Sequence, residues 1–301
     1  MIRQIGAGGG GDVWLARSAL GTYRAVKVIF RKSFSWSKPY EDEFHGLLKY
    51  EPLSRQHEAL VDVLQVGGSS EADYFYYVME LGDDVRSGQD IDPNAYQPRT
   101  LWHYLAARKP LPVEECIRLG APIASALSFL HEHGLIHRDV KPANIIFVNG
   151  LPKLADAGLV TEMFQNRSRV GTEGYIAPEG PGTARADIYS LGKVLYEMST
   201  GNDRNEYPAL PADMGSPTAE RNLIQFNKLI LKCCRTNPRL RHRDAKELES
   251  ALTAFQVTPR KPFEDRDLRP LGWIAIAGLL AAAGVVAFVL WRLIADMLRT
   301  G

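Results

Sequence analysis

Residues 137–144 read His137-Arg138-Asp139-Val140-Lys141-Pro142-Ala143-Asn144, and the reading of the whole chain turns on them. Downstream stand Asp156-Ala157-Gly158 and then Ala177-Pro178-Glu179. Upstream, Gly6-Ala7-Gly8-Gly9-Gly10-Gly11-Asp12-Val13 satisfies G-x-G-x-x-G-x-V, and a strand-like run follows it through Ala25-Val26-Lys27. Glycines let a backbone pass close to phosphates and turn amide N–H groups toward them. A Gly-rich run by itself is more often a flexible loop. A dinucleotide-binding reading needs a helix directly after the glycines, and here another strand follows. A lone strand lysine is usually solvated, but its spacing from the glycines singles out Lys27. Each short motif is common; all of them in one order are not a product of chance.

The bulk numbers agree with a large globular unit. The chain has 301 residues, 45% hydrophobic and 24% charged, which suits one large domain or two lobes around a cleft. A net charge of +1 gives no general pull toward nucleic acid, so DNA and RNA are not expected partners. The three cysteines, Cys116, Cys233 and Cys234, lack metal-ligand spacing and read as buried free thiols of a reducing compartment. Met1 runs straight into the glycines, so no secretory leader is expected.

Working outward, the first 80 residues read as short strands around residues 14–16, 24–29 and 74–81, with a helical spacing of Phe44, Leu47 and Leu48 between them. Residues 82–99, rich in Asp, Gly and Pro, read as a loop or insertion. From Thr100 the pattern turns helical, with helices expected over 113–134, 186–200 and 222–234. Residues 256–270 form a proline- and charge-rich linker. Residues 273–291 then carry no charge at all. At about 1.5 Å per residue they run roughly 28 Å, enough to cross a bilayer. Trp273 and Trp291 mark the two interfaces. Basic residues are denser before the segment (Arg260, Lys261, Arg266, Arg269) than after it (Arg292, Arg299), which places the N-terminal part in the cytoplasm. A membrane helix is expected over 271–292, with a short tail over 293–301.

In order and interval these motifs resemble those of the protein kinase family, and the resemblance spans residues 1–255. It implies a two-lobed α+β fold: a small, mainly β N-lobe (1–80), a hinge (80–84) and a large, mainly α C-lobe (85–255), followed here by one C-terminal transmembrane helix. It also implies ATP and Mg²⁺ as cofactors and protein substrates as partners. Phosphoryl transfer needs positioning and charge neutralisation more than covalent chemistry. In that scheme Gly6, Gly8, Gly11 and Val13 cover the nucleotide, and Lys27 binds its α- and β-phosphates. Glu43 holds Lys27, with Glu51 and Glu41 as alternatives; Glu51 is weakened by Pro52 after it. Asp139 orients the substrate hydroxyl and accepts its proton. Asn144 and Asp156 hold Mg²⁺, a hard ion that takes oxygen ligands. Lys141 steadies the transferring phosphate.

Lys141-Pro142 and Gly171-Thr172 resemble the serine/threonine branch of the family, with Thr172 serving substrate binding. Met79 corresponds to the residue guarding the back of the cleft, and Glu80 and Gly82 to the hinge that meets adenine. Glu179 pairs with Arg241, and Asp187 anchors the catalytic loop from below. Ser168 is the expected activating phosphosite, with Thr161 second and Arg138 as the phosphate's partner. The function implied is serine/threonine protein phosphorylation, with autophosphorylation. The alternative is a membrane-anchored pseudokinase that binds nucleotide or a partner, which the presence of Lys27, Asp139, Asn144 and Asp156 argues against. Ala157 departs from the family, which usually carries Phe there; neighbouring side chains are expected to fill the space.

Overall fold

The computed structural model describes residues 1–8, 11–156, 161–162, 171–255 and 257. Ser168, Ala157, the side chain of Thr161 and the whole of 258–301, including the expected membrane segment, lie outside them. Among the described residues no helix is long and apolar enough to cross a membrane.

The N-terminal part is a five-stranded antiparallel sheet in the order β1-β2-β3-β5-β4, built from β1 (Arg3–Gly8), β2 (Gly11–Arg17), β3 (Tyr23–Phe30), β4 (Val63–Gly68) and β5 (Tyr74–Met79). Gly11 is forced by a close approach: a Cβ there would lie 2.1 Å from the Val28 carbonyl oxygen. Helix α1 (Ser37–Ser54) covers one face of the sheet. Tyr40, Phe44, Leu47 and Tyr50 form its buried stripe, and Phe75 of β5 packs between Tyr40 and Phe44 with ring centroids 5.0 and 5.1 Å away. Leu48 points outward instead, 46% exposed. The helix also runs through Pro52, contrary to the expected stop. The proline sits in the last turn, and the Ser54 hydroxyl donates to the Glu51 carbonyl (2.7 Å) while accepting from the Val63 amide (2.9 Å). That serine ties the helix end to β4.

After β5 the chain crosses to a mainly helical part. Helices α2 (Leu101–Arg108), α3 (Val113–Glu132), α4 (Ala184–Thr200), α5 (Pro217–Cys233) and α6 (Ala245–Thr253) surround one core. The short strands β6 (Leu135–Ile136) and β9 (Thr161–Glu162) pair with each other, as do β7 (Ile145–Val148) and β8 (Leu151–Leu154). Asn149 and Gly150, with φ of 52° and 77°, close the β7–β8 hairpin as Asn-Gly pairs do when they match the twist of the strands.

Helix α4 is the centre of this part and is buried along nearly its whole length. Thr183 caps its start by accepting the Ala186 amide, and Gly201 (φ 75°) ends it. A Cβ at Gly192 would lie 2.6 Å from Cys233 Cβ and 2.7 Å from Cys234 Sγ, so glycine lets α4 and α5 touch. All three cysteines are free and buried.

Glu179 and Arg241 meet as a two-pronged pair, with Arg241 nitrogens 2.6 and 2.7 Å from the two carboxylate oxygens. The guanidinium side chain has no exposed surface. It also donates to the carbonyls of Arg185 and Arg235 and lies 5.0 Å from the Tyr189 ring centroid. Removing one partner of such a pair leaves the other charge without its counterpart. Arg241→Ala strips the Arg185 and Arg235 carbonyls of their donor while Glu179, 24% exposed, can turn to water, so the protein should lose about 1–3 kcal/mol, read as a drop in the urea midpoint; no change in the midpoint would show the pair to be worth no more than a surface contact.

Candidate active site

The site is built from α4 upward. Asp187 lies in the first turn of that helix and is 1% exposed. Its Oδ1 accepts the Arg138 amide at 2.8 Å. Its Oδ2 accepts the His137 amide and His131 Nε2, both at 2.9 Å. Burial pushes the carboxyl up, but the donated hydrogen bonds and the neighbouring histidines outweigh it, so Asp187 is held below its ordinary range. The loop it holds takes an unusual course: Arg138 sits at φ 71°, in the left-handed region that a side chain normally avoids.

That turn delivers Asp139 into a closed network. Asp139 Oδ1 accepts the Thr172 amide (3.1 Å) and hydroxyl (2.9 Å). Its Oδ2 accepts Asn144 Nδ2 (2.9 Å) and pairs with Lys141 Nζ (2.7 Å). Lys141 Nζ in turn donates to Thr172 Oγ1 at 2.7 Å. Both the carbonyl and the carboxylate of Asp139 take Asn144 Nδ2, which leaves the Asn144 side-chain oxygen as the amide's remaining acceptor.

The loop then steers the next acidic residue. His137 Nε2 donates to the Ala155 carbonyl (3.0 Å), and the Ala155 amide donates to the Asn144 carbonyl (2.8 Å). Asp156 follows at φ 70°, and its Oδ1 lies 2.5 Å from Lys27 Nζ. Lys27, in the middle of β3 opposite Tyr77, is 7% exposed. Burial pulls its ammonium down, but the Asp156 carboxylate outweighs that and raises it.

Here the structure differs from the expectation for Glu43. The residue is on α1, buried and near enough to Lys27 to feel its charge, yet it forms no ion pair among the described residues, and its Oε1 has no hydrogen-bond partner. Asp156 has taken the lysine. Burial then pushes the Glu43 carboxyl up to about 8, opposed by Lys27 and reinforced by Asp156. The alternatives fare no better. Glu51 pairs with Arg55 (2.6 Å), and Glu41 lies 3.9 Å from Arg31.

Between the sheet and the helical part lies a cleft of about 180 Å³. Gly6, Val13 and Ala25 form its roof, Ala143 and Ile146 its floor, and Met79 to Gly82 its inner edge. Lys27, Asn144 and Asp156 make the polar end. Gly6 faces Val13 across the β1–β2 hairpin, and Gly8 faces Gly11; Gly9 and Gly10 lie outside the described residues. The apolar walls suit a flat base, and the polar end offers a cation beside oxygen donors. No group of three or more His, Cys, Asp or Glu able to hold a metal occurs among the described residues. The oxygens of Asn144 and Asp156 at the polar end are hard donors of the kind Mg²⁺ takes alongside phosphate and water.

Sequence reasoning missed several participants. His131 on Asp187 and Lys153 on Glu80 (2.6 Å) are brought in by folding, with no motif to mark them.

Glu43 generates a prediction. A carboxyl whose folded pKa lies above its unfolded value adds stability at low pH and loses it as pH rises through the folded value. Without added nucleotide, this group should cost the protein stability from its ordinary 4.5 up to about 8. Glu43→Gln should flatten that part of the slope, measured as urea midpoints at about pH 6 and about pH 9; identical slopes in the two proteins would show that Glu43 does not carry the proton.

The model of the protein kinase domain matches residues 1–255. A probable serine/threonine-protein kinase of Clostridium perfringens is 30% identical over 296 residues, covering 89% of this chain and 40% of its own. Serine/threonine-protein kinase PrkC of Bacillus subtilis is 29% identical over 282 residues, with 85% and 40% covered. Serine/threonine-protein kinase PknB of Mycobacterium leprae is 29% identical over 272 residues, with 82% and 41% covered. The chain thus spans about two fifths of the length of these relatives. With the matched domain running from the glycine hairpin to α6, the chain belongs to the protein kinase family.

Proposed function

We propose that the chain is a Mg·ATP-dependent serine/threonine protein kinase, held at a membrane with its catalytic domain in the cytoplasm. The observation that carries the reading is the Asp139 carboxylate. It is 6% exposed and bound by Asn144, Lys141 and Thr172, and through Asn144 it joins the polar end of the cleft where Lys27 and Asp156 stand. A threonine hydroxyl already donates to Asp139 Oδ1 at 2.9 Å, the contact a substrate hydroxyl needs in order to lose its proton there.

Each residue then has a task. Asp139 orients the incoming Ser or Thr hydroxyl and accepts its proton. Lys141 lies 2.7 Å from that carboxylate and supplies positive charge for the phosphoryl oxygens as charge builds on them. Asn144, through its side-chain oxygen, and Asp156 would hold Mg²⁺, which when bound neutralises phosphate charge. Lys27, now on Asp156, would turn to the phosphates of a bound nucleotide, and the Asp156 carboxylate would then be available to hold Mg²⁺. Glu43 is the carboxylate nearest to receive Lys27 in that rearrangement. The glycine hairpin covers the phosphates, and Glu80 and Gly82 meet the base. Arg138 is the proposed partner of a phosphate on Ser168.

Relatives named as serine/threonine-protein kinases support the hydroxyl class of substrate. The uncharged run between Trp273 and Trp291, with its asymmetric basic flanks, supports the anchor and its orientation.

Asp139→Asn should abolish transfer of labelled phosphate from ATP to protein while nucleotide binding persists, and Lys27→Met should abolish transfer as well. Wild-type rates of self-phosphorylation in both variants would rule out this chemistry, and an inactive wild type that still binds nucleotide would favour the pseudokinase. Deleting residues 271–301 should move the protein from the membrane pellet to the soluble fraction with activity retained. Protease added outside intact cells should spare the kinase domain, and its digestion there would reverse the orientation.

A further inference from the structure

The residues between the hinge and α2 form a built structure rather than a loose loop. Asp84 organises them: its Oδ1 accepts the amides of Arg86 (2.8 Å) and Ser87 (3.0 Å) and the Ser87 hydroxyl (3.1 Å), and its Oδ2 accepts the Gln97 amide (2.7 Å). Asp83 fastens the start of the segment to the β7–β8 hairpin through the amides of Asn149 and Gly150 (2.9 and 2.8 Å). From the opposite lobe Arg3 of β1 reaches over, donating from Nε to the Pro93 carbonyl (2.8 Å) and from a terminal nitrogen to the Tyr96 carbonyl.

This bracing aims one side chain at the cleft. Tyr96 is 3% exposed, lines the cleft beside Gly82, and donates its hydroxyl to the Gly82 carbonyl at 3.0 Å, with both groups buried. Gly82 lies on the cleft's inner edge. Among the described residues no protein group bonds the Gly82 amide or the Glu80 carbonyl. The hinge offers a base one free donor and one free acceptor, and its next acceptor, the Gly82 carbonyl, already receives one hydrogen bond and is flanked by the Tyr96 ring.

We propose that Tyr96 is a base-selecting residue: by engaging one lone pair of the Gly82 carbonyl and crowding the other, it makes the cleft disfavour purines that carry an amino group at C2. The proposal rests on the reading that this cleft binds ATP. The chemistry is that of the purine edge. Adenine offers an N6 donor and an N1 acceptor and has no polar group at C2, so a free amide and a free carbonyl satisfy it. Guanine and 2,6-diaminopurine add a C2 amino group whose N–H requires an acceptor next to the Gly82 amide. A buried N–H without an acceptor is costly, and a site can reject an analogue on that ground.

The test is calorimetric binding of Mg·ADP and of Mg·2-amino-ADP (the 2,6-diaminopurine analogue) to the whole 301-residue chain in detergent, which needs no turnover. The wild type should bind ADP more tightly. Tyr96→Phe keeps the ring and removes the hydroxyl, which frees the Gly82 carbonyl. The ratio of the 2-amino-ADP Kd to the ADP Kd should then fall by about three- to tenfold, the worth of one neutral hydrogen bond. Arg3→Met, which loosens the bracing without touching the cleft, should lower the ratio in the same direction by a smaller factor, and it serves as the test if Tyr96→Phe fails to fold. An unchanged ratio in whichever variants fold, or a Tyr96→Phe that weakens both ligands equally, would overturn the proposal while leaving the kinase reading intact. A wild type that binds neither nucleotide would overturn both.

Discussion

A single buried carboxylate sets the geometry of the whole cleft. Asp187 is almost without solvent exposure, and a charge in such a place must be fully hydrogen-bonded or it will not stay charged. Its donors are two consecutive loop amides and one histidine ring. Two consecutive amides aimed at one carboxylate leave the loop little freedom, and the left-handed turn at Arg138 follows from that restraint. Asp139 is therefore positioned from helix α4, a rigid core element, although it belongs to an irregular segment. The same restraint travels further: His137 holds the Ala155 carbonyl and Asn144 holds the Ala155 amide, so the chain entering Asp156 is fixed from both sides.

Much of this was legible in the residues. The stretch 137–144 is the part of the chain where the family resemblance is carried, and the structure brings Glu179 to Arg241 and sets Asp187 beneath the loop. Helix α3 was visible from its apolar period, since a core-facing stripe is written locally. The strands were harder. β4 reads Val63-Leu64-Gln65-Val66-Gly67-Gly68, too short and glycine-rich to show an alternation, and its pairing with β5 comes from contacts that no local pattern encodes. Leu48 followed the helical spacing and still faces outward, because the stripe of α1 is centred on Tyr40, Phe44 and Leu47.

The partner of Lys27 was least legible of all. Which of two carboxylates takes a buried lysine depends on ångström-scale placement of a helix and a loop that are distant in sequence. In the structure Asp156 holds it at 2.5 Å and Glu43 is left with an unpartnered oxygen. The order of the segment after the hinge was hidden for a related reason. A stretch rich in Asp, Gly and Pro reads as a loop on composition alone. Whether it is loose or braced depends on which backbone amides its carboxylates collect, and Asp84 collects three of them.

The contact between α4 and α5 has a practical side. Gly192 packs α4 directly against Cys233 and Cys234, which are 0% and 5% exposed, and Cys116 in α3 is fully buried as well. Burial pushes the Cys116 and Cys233 thiols up and carries Cys234 to about 12, so at neutral pH almost no nucleophilic thiolate is present. These are all the cysteines in the chain. The native thiols should therefore react far more slowly with maleimides and iodoacetamides than an exposed cysteine, so a single cysteine introduced on the surface should take a fluorophore or spin label without any of the three having to be replaced.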